Sequence, residues 1–382
     1  MKIDHSFNMF MRILLYLALS ACAGCVTVER PPLYIEGLSA AVFSPDGRLA
    51  AVADENRIIV FDTASMNKLM SFTGKYRYGT KNTLVFIDDT RIATTGMTAR
   101  LSDEKSQAAI RIWDTKDQYS EPRLIALPEL GRFAIALAWS AATGSIAVGG
   151  ESGAVVMLEP DETGKFKHRR LHGLDGPVLT LVFSQDGSLL AAGGVHPNVE
   201  IWEVQSLATF GQLPVRGPVY DLELIPGQKS LVVASDDLIV WKFLTDEELK
   251  AYENPSMAGD VVLKGAQYTA IAILFVISAY GGGVPGPPFT TDTEPDYGFC
   301  TRQVAVAPDG HSLVDVHPGL AKEKIRVIAI PSGEVIKSIN PRGGHTCGIG
   351  FSPDGKALLI ANQRVARLYD TSTWNYSDFK LD

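Results

Sequence analysis

The sequence predicts an all-β fold, a β-propeller, in which repeated antiparallel sheets are arranged as blades in a ring. Three observations support this prediction: a tight turn that recurs along the chain, apolar strands on both sides of each turn, and an aromatic residue where a third strand closes. The 382 residues are 46% hydrophobic and 20% charged, which is typical of a packed globular protein.

The tight turn is the first repeated element. It reads Ser-Pro-Asp-Gly at 44–47 and 352–355, Ala-Pro-Asp-Gly at 307–310 and Ser-Gln-Asp-Gly at 184–187. Proline presets the first corner, aspartate bonds its own backbone, and glycine takes the left-handed position that ends a tight hairpin loop. Each turn is therefore predicted to join two antiparallel strands.

The strands beside these turns are apolar. They are predicted at 38–43 and 48–53 around the first turn, and at 178–183 and 188–193 around the turn at 184–187. The second strand is a continuous apolar run, as at 49–52 and 358–361, and such runs are typical of strands buried on both faces. A sheet held between two neighbouring sheets has this burial.

A third strand closes on an aromatic residue, usually followed by a polar one. The pairs are Phe61-Asp62, Trp113-Asp114, Trp202-Glu203, Trp241-Lys242 and Tyr369-Asp370. With these endings and the Pro-Asp-Gly turns, the chain resembles the WD40 family over about 350 residues, which implies a WD40-like β-propeller. The family's Gly-His pair is reversed at 172–173 and kept only at 344–345. The buried hydrogen-bond network that the family builds from these residues is therefore not expected in most blades.

The spacing of the hairpins predicts the number of blades. From Gly227 to Gly310 the step is 310 − 227 = 83 residues, which is one blade plus an insertion or two blades. We favour seven blades with an insertion near 245–299, and eight blades are the alternative. The ring is expected to close by residues 33–35 packing against the last blade, and a last strand at 374–381 is the alternative. The predicted hairpins lie near Gly47, Asp89, Gly144, Gly187, Gly227, Gly310 and Gly355.

The N-terminal segment resembles a secretory signal. Arg12 precedes an apolar run at 13–19, and Ser20 and Ala21 follow before Cys22. Residues 19–22 resemble the lipobox of bacterial lipoproteins, which implies diacylglycerol on Cys22 and cleavage before it; a plain cleaved signal is the alternative. We expect a signal peptide at 1–21, an acylated tether at 22–32 and the propeller at 33–382. Ala23 favours the periplasmic face of the outer membrane if the organism is Gram-negative.

Charge and cysteine content limit the classes of partner and the disulfide pairings that we expect. The net charge of −8 gives no general attraction for a polyanion, so nucleic acid is excluded as the main partner. Cys22 and Cys25 have a C-x-x-C spacing, but Cys22 is the expected acylation site. Cys300 and Cys347 would lie in an oxidising compartment, where they can pair if their Cα atoms come within about 7 Å.

The insertion is the least repetitive part of the chain. A capping-box pattern at 245–248 predicts a short helix to residue 252. The apolar run at 266–280 predicts a buried strand or helix, with membrane-surface contact or a membrane span as alternatives. A G-x-G-x-x-G match at 281–286 lacks the helix that a dinucleotide site needs, because Pro285, Pro287 and Pro288 oppose it.

Catalytic signals are absent from the sequence. The seven histidines show no compact ligand spacing, no G-x-S-x-G occurs, and Asp88-Asp89 and Asp236-Asp237 stand in turn contexts. We predict no catalytic residue, cofactor or metal. The basic stretch 165–170 is expected on the outer strand of the third blade, where charge protects a sheet edge; contact with anionic lipid or a partner is the alternative.

The sequence therefore favours a lipid-anchored cell-envelope scaffold that binds an envelope protein and is not an enzyme. The candidate binding loop, residues 281–299, carries aromatic residues among carboxylates, a combination that suits an interface. An ordered plug on the propeller's own rim is the competing interpretation of this loop. A propeller enzyme of the lactonase or quinoprotein type and an oligomerising structural protein are the other function classes. The candidate contact residues are Phe289, Asp292, Asp296, Tyr297 and Phe299.

Overall fold

The chain forms seven antiparallel β-sheets, the blades of a propeller, in a computed structural model. The structure describes residues 40–53, 57–73, 83–98, 105–244, 262–264, 269–273, 302–317, 324–340, 346–362 and 365–379, all within the compact unit Ile35–Asp382. Apart from a 3₁₀ turn at Pro128–Leu130, the described elements are strands, and none of the described helical structure is long and apolar enough to cross a membrane. The all-β prediction with seven blades is confirmed, and the eight-blade alternative is excluded.

Each of the first four blades is a meander of four strands in chain order from the axis outwards. They are β1 (Ala40–Phe43), β2 (Leu49–Ala53), β3 (Arg57–Asp62) and β4 (Lys68–Thr73); β5 (Leu84–Phe86), β6 (Arg91–Met97), β7 (Ala108–Asp114) and β8 (Arg123–Ala126); β9 (Ala134–Ser140), β10 (Ser145–Gly150), β11 (Val155–Pro160) and β12 (Phe166–Leu171); and β13 (Val178–Phe183), β14 (Leu189–Gly194), β15 (Asn198–Glu203) and β16 (Thr209–Pro214).

The fifth blade has five strands and the last two blades have four each. They are β17 (Asp221–Leu224), β18 (Ser230–Ala234), β19 (Leu238–Leu244), β20 (Val262–Lys264) and β21 (Thr269–Ile273); β22 (Gln303–Val306), β23 (Ser312–His317), β24 (Lys324–Ala329) and β25 (Val335–Ile339); and β26 (Thr346–Phe351), β27 (Ala357–Asn362), β28 (Ala366–Asp370) and β29 (Tyr376–Asp378).

The fifth blade departs from the predicted organisation. Its sheet order is β17-β18-β19-β21-β20, so the strand next to β19 is β21 and the outermost strand is β20. Both strands lie inside the range 245–299 that was expected to be an insertion, and β21 lies within the apolar run 266–280. The insertion therefore contains the outer strands of this blade, and β19 runs two residues beyond the predicted ending at Trp241-Lys242.

The hydrophobic core is divided among the seams between blades. Each innermost strand packs on the next, in the order β1, β5, β9, β13, β17, β22, β26 and back to β1. Seven apolar clusters fill the seven seams between adjacent blades, including the one that joins the last blade to the first. This arrangement explains the continuous apolar second strands, because both of their faces are covered.

The C-terminal residues complete the ring. β29 is the fourth strand of the seventh sheet, and Phe379 just after it packs on Phe61 of the first blade with ring centroids 4.6 Å apart. The last strand, Tyr376–Asp378, lies within the range 374–381 that was the alternative for closure. Residues 33–35, the other candidate for closure, lie outside the described residues.

The tight turns contact one another as well as their own strands. Gly355 has φ +72°, the left-handed region, and a Cβ placed there would lie 3.5 Å from Pro308 Cδ in the preceding turn. A Cβ on Gly47 would likewise lie 3.3 Å from Pro353 Cδ, and one on Gly310 would lie 3.0 Å from the carbonyl oxygen of Pro226. Each of these glycines packs on the preceding turn around the ring. Neighbouring turns therefore contact one another on one face, and we call this set of turns the turn collar.

Candidate interaction face

The two faces of the ring carry different connections. The turns between first and second strands, such as 44–47, lie on one face, which we call the hairpin face. The connections between blades, such as 172–177 and 215–220, lie on the other, which we call the loop face. Because β21 runs antiparallel to β19, it ends at Ile273 on the loop face, and β22 begins there at Gln303.

The chain between these two strands is long for such a connection. Residues 274–301 number 301 − 274 + 1 = 28, whereas inter-strand loops commonly have about 2–6 residues. They leave from an outer strand of the fifth blade and return at the axis of the sixth, so both of their ends lie on the loop face.

The predicted site residues cannot be placed from the structure. Cys22 lies outside the described residues, and so do Phe289, Asp292, Asp296, Tyr297 and Phe299. The predicted helix at 245–252 and the glycine motif at 281–286 lie outside them too. Their roles stay predictions, and the structure defines instead where the candidate binding loop is attached.

A buried arginine holds the C-terminal end of this connection. Arg302 is 3% exposed, and its guanidinium donates from Nε and Nη2 to the two carboxylate oxygens of Asp315 at 2.9 and 3.3 Å. Its Nη1 donates to the backbone carbonyls of Ser235 and Asp236 in the fifth blade at 3.0 and 3.1 Å. One side chain thus joins the end of the loop to two blades.

Asp315 is the centre of this cluster. It is fully buried, and a second guanidinium, that of Arg326 on the next strand, donates to its Oδ2 at 2.6 Å. Burial alone would raise the pKa of Asp315, but the charges and hydrogen bonds of Arg302 and Arg326 outweigh burial and hold the pKa below its usual value of 3.8. The carboxylate is ionised at neutral pH and serves as an acceptor, so it is a poor general base.

A second set of hydrogen bonds joins the fourth, fifth and sixth blades near the axis. Thr180 Oγ1 accepts from the backbone N–H of Leu222 at 3.1 Å, and Asp221 Oδ2 accepts from the N–H of Val304 at 2.9 Å. These donors belong to innermost strands, whose inner edges have no further strand to pair with. Gln303 lies beside them, 1% exposed, and within the described part of the chain its amide has no hydrogen-bond partner.

The surface around the cluster is polar. Tyr220 lies at the start of β17 on the loop face, and its pKa is raised by burial and further by the carboxylate of Asp236. Asp236 is exposed, and Arg302 contacts its carbonyl rather than its carboxylate. Among the described residues no group of three or more His, Cys, Asp or Glu side chains is placed to hold a metal. The arrangement fixes the positions of backbone groups and of buried charges, so it is suited to holding the end of a loop in place.

Sequence reasoning missed Arg302, Asp315 and Arg326. A signal was present, since Asp315 interrupts the apolar run Leu313-Val314 and Val316, and a charge in a strand buried on both faces needs a partner. The partner could not be named, because Arg302 lies thirteen residues away, just before β22.

Of the aspartates expected to have structural roles in turns, Asp88 and Asp89 have them. Asp88 accepts from the N–H and Oγ1 of Thr90, at 2.8 and 3.0 Å, and Asp89 accepts from the N–H of Asp46 in the neighbouring turn at 3.0 Å. Hydrogen bonds from the backbone of Thr90 and from Arg91 lower the pKa of Asp88, although burial opposes this.

The basic stretch 165–170 lies on β12, the outer strand of the third blade, as expected. Arg169 forms an ion pair with Glu159 at 2.7 Å and donates to the carbonyl of Gln205 in the fourth blade at 2.7 Å. His168 Nδ1 lies 3.4 Å from Glu129 in the connection before the third blade. Arg169 therefore links the third blade to the fourth at the rim, and His168 contacts the connection that leads into the third blade.

The blade with the literal Trp-Asp pair has a buried hydrogen bond from its tryptophan. Trp113 Nε1 donates to Thr94 Oγ1 at 3.2 Å, and both residues are buried. In the fifth blade, Trp241 Nε1 is buried without a hydrogen-bond partner among the described residues. The two blades therefore differ in whether this tryptophan is hydrogen-bonded among the described residues.

Cys347 is buried and disulfide-bonded. The chain has four cysteines, and the other three lie outside the described residues. Whether Cys300 is the partner was left open by the sequence.

Comparison with known proteins supports the architecture. The family model described as "WD domain, G-beta repeat" matches residues 165–203. The matched repeat starts at the outer strand of the third blade and ends at Trp202-Glu203, the close of the third strand of the fourth blade, so one sequence repeat spans two blades. No curated protein matches the chain. The repeat match and the seven blades together make this chain a WD40-like β-propeller.

Proposed function

We propose that this protein is a lipid-anchored scaffold of the cell envelope that binds a protein partner through its loop face and residues 281–299, without catalysing a reaction. One observation carries the proposal: both ends of this long connection lie on the same face, and the end at the axis is held by the buried cluster of Arg302, Asp315 and Arg326. A rigid ring that holds both ends of a long loop is a common arrangement for binding, because the loop loses less conformational entropy on binding when its ends are already fixed.

The composition of the loop indicates the chemistry of the partner. Phe289, Tyr297 and Phe299 can serve as apolar anchors, and Asp292 and Asp296 stand among them with Glu294. Aromatic anchors surrounded by polar groups are typical of interfaces, and three carboxylates favour a basic partner surface. The partner is therefore expected to be an envelope protein with a basic patch.

The proposed location rests on the lipobox-like residues 19–22 and on the cysteine chemistry. Disulfides persist mainly in oxidising compartments, and Cys347 is disulfide-bonded. This agrees with an envelope protein anchored through Cys22, on the periplasmic face of the outer membrane if the organism is Gram-negative.

Deletion of residues 282–293 tests the binding role. The full-length protein and the deletion variant are crosslinked in membranes, and the partners recovered are compared. We expect the deletion to remove the partner while the melting temperature stays within a few degrees. The matched control is Tyr119→Ala, which removes an aromatic side chain that is 87% exposed on the second blade and should leave recovery unchanged.

Two results would oppose the proposal. Recovery of the same partners by the deletion variant would show that the loop does not bind them and would favour the plug interpretation. Recovery of only further copies of this chain, with a matching oligomer size after delipidation, would favour the structural, oligomerising class.

A further inference from the structure

We propose that the sixth, seventh and first blades dock on the phospholipid surface that holds the lipid anchor, through exposed apolar side chains at the rim of the hairpin face. This inference rests on the lipid anchor of the proposed function and adds an orientation to it. The hairpin face is turned towards the membrane, and the loop face is turned away from it.

Exposed large hydrophobic side chains are confined to one sector of the described ring. The structure describes six of them, and all belong to the sixth, seventh, first and second blades, which follow one another around the ring. On the described outer strands of the third and fourth blades the exposed positions are polar, charged or proline, such as Lys167 and Gln212. The six are Leu69, Tyr119, Leu124, Val335, Ile336 and Tyr376.

The exposed apolar residues of the outer strands lie at the hairpin face. The first strand of each blade ends on that face and neighbouring strands are antiparallel, so the fourth strand begins there. Val335 and Tyr376 are the first residues of β25 and β29, and Leu69 and Ile336 are the second residues of β4 and β25. We call these four residues, which are between 43% and 55% exposed, the apolar arc.

Two members of the apolar arc stand at β-bulges. The register between β3 and β4 shifts at Leu69, and the register between β24 and β25 shifts at Ile336, so each is an extra residue in its outer strand. A bulge at a sheet edge commonly re-aims a side chain. Single exposed hydrophobic residues are common on protein surfaces, but a group of them on one edge indicates a contact surface.

The chemistry of the apolar arc suits a bilayer interface. The ring of Tyr376 lies 5.1 Å from the guanidinium carbon of Arg367, and tyrosine is favoured where one end of a side chain is apolar and the other is wet. Lys68 and Lys337 flank the arc and are exposed, and long lysine side chains reach from an apolar contact to the headgroups. Glu334 is exposed beside them, so we expect the contact to depend on apolar insertion more than on anionic lipid.

The lipid anchor keeps the ring close to the bilayer. Cys22 precedes Ala40, the first residue of β1, by 40 − 22 = 18 residues, which span at most about 60 Å. With strands about 4.8 Å apart and about 20 Å long, the path from the start of β1 to the rim of the hairpin face is about 35 Å. The anchor is therefore long enough for the arc to reach the same membrane. Because the chain links the two, the contact is intramolecular and needs little affinity of its own.

This orientation leaves the loop face free. The connection 274–301 has both of its ends on the loop face, so a partner approaches it from the side of the ring opposite to the membrane. Anchoring and partner binding would then use different faces of the ring.

Trp374 is a natural probe of the membrane contact. It lies in the turn before β29, two residues from Tyr376, and is partly exposed. Three of the other four tryptophans are buried, and the fourth, Trp139, is partly exposed in the third blade. Bromine atoms on lipid acyl chains quench tryptophan fluorescence only at close range.

The acylated protein, purified from membranes, is incorporated into phosphatidylcholine vesicles with plain or brominated acyl chains. We expect brominated lipid to lower the tryptophan emission, and Trp374→Phe to remove most of that loss. The matched control is Trp139→Phe, which should leave the loss unchanged.

A double variant tests the residues of the apolar arc. Leu69→Asp combined with Ile336→Asp should reduce the quenching of Trp374 several-fold, while the melting temperature stays within a few degrees because both side chains are exposed. Thr209→Asp is the matched control, since it places the same charge at the first position of the outer strand of the fourth blade.

The outcomes separate this proposal from the anchor. Equal emission in plain and brominated vesicles, for a protein that floats with them, would overturn the docking and leave the anchor standing. A protein that does not float with the vesicles would overturn both. An unquenched protein that forms a dimer in detergent, dissociated by the double variant, would assign the arc to a second copy and overturn the membrane contact.

Discussion

Replacing Asp315 with asparagine tests whether the buried ion cluster holds the fifth and sixth blades together. The change keeps the shape of the side chain but removes the negative charge that two guanidinium groups share at 2.9 and 2.6 Å. Removing one partner of a buried ion pair leaves an uncompensated charge and typically costs about 3–5 kcal/mol. With an unfolding entropy of about 2.1 cal/mol/K per residue for residues 40–382, this loss lowers the melting temperature by roughly 4–7 °C.

The pH dependence gives a second measurement of the same group. Because the pKa of Asp315 is lower in the folded protein than its usual 3.8, its stabilisation is present above that value and is lost as the pH falls through the folded pKa. Thermal melts of the parent and of Asp315→Asn should therefore converge below pH 3.8. The control is Lys356→Ala, which removes an exposed ion pair with Asp354 and should not shift the melt. A variant that melts within 1 °C of the parent at pH 7 would refute the stabilising role.

Two further predictions concern the turn collar and the anchor. Gly355→Val should lower the free energy of unfolding by about 1–3 kcal/mol, because Gly355 has φ +72° and a Cβ there would contact Pro308. Gly355→Asn should lower it less. Equal melting temperatures for the parent and the valine variant would contradict the turn assignment. Cys22→Ser should release the protein from the membrane fraction and Cys25→Ser should not, as measured by fractionation and immunoblotting; retention of the Cys22 variant would argue against acylation there.

The blades could be predicted because their signals are local. A turn such as Ser44 to Gly47 is closed by its own residues: the Ser44 hydroxyl donates to Asp46 at 2.7 Å, and Asp46 accepts from the N–H of Arg48 at 3.0 Å. Burial on both faces produces the continuous apolar second strand within five or six residues. These features need no knowledge of distant parts of the chain, so the positions of all seven hairpins were predicted.

The outer strands of the fifth blade could not be predicted, because their order depends on pairing between distant segments. β21 pairs with β19, although β20 precedes it in the chain. The same limit applies to the attachment of the loop, since Arg302 is recognised only once Asp315 and the carbonyls of the fifth blade are in place. The contact residues predicted at 289–299 and the lipidation of Cys22 stay predictions.

The position of the long connection follows from how the fifth and sixth blades are joined. Their seam is held by the apolar cluster that includes Ile225 and Val304, by Asp221, by Arg302, and by a hydrogen bond from Gln228 to the carbonyl of Gly310 at 3.4 Å. All of these contacts are made by described residues outside 274–301, so a change within that segment removes none of them.

The energetic effect of shortening this segment can be worked out from its length. Deleting residues 282–293 leaves 28 − 12 = 16 of its residues and changes the loop-closure free energy by only about 0.5 kcal/mol, in favour of the folded state. The deletion variant keeps Arg302 and the seam contacts among the described residues, and is therefore expected to fold. A loss of partner recovery in that variant would then report on binding by the loop rather than on damage to the ring.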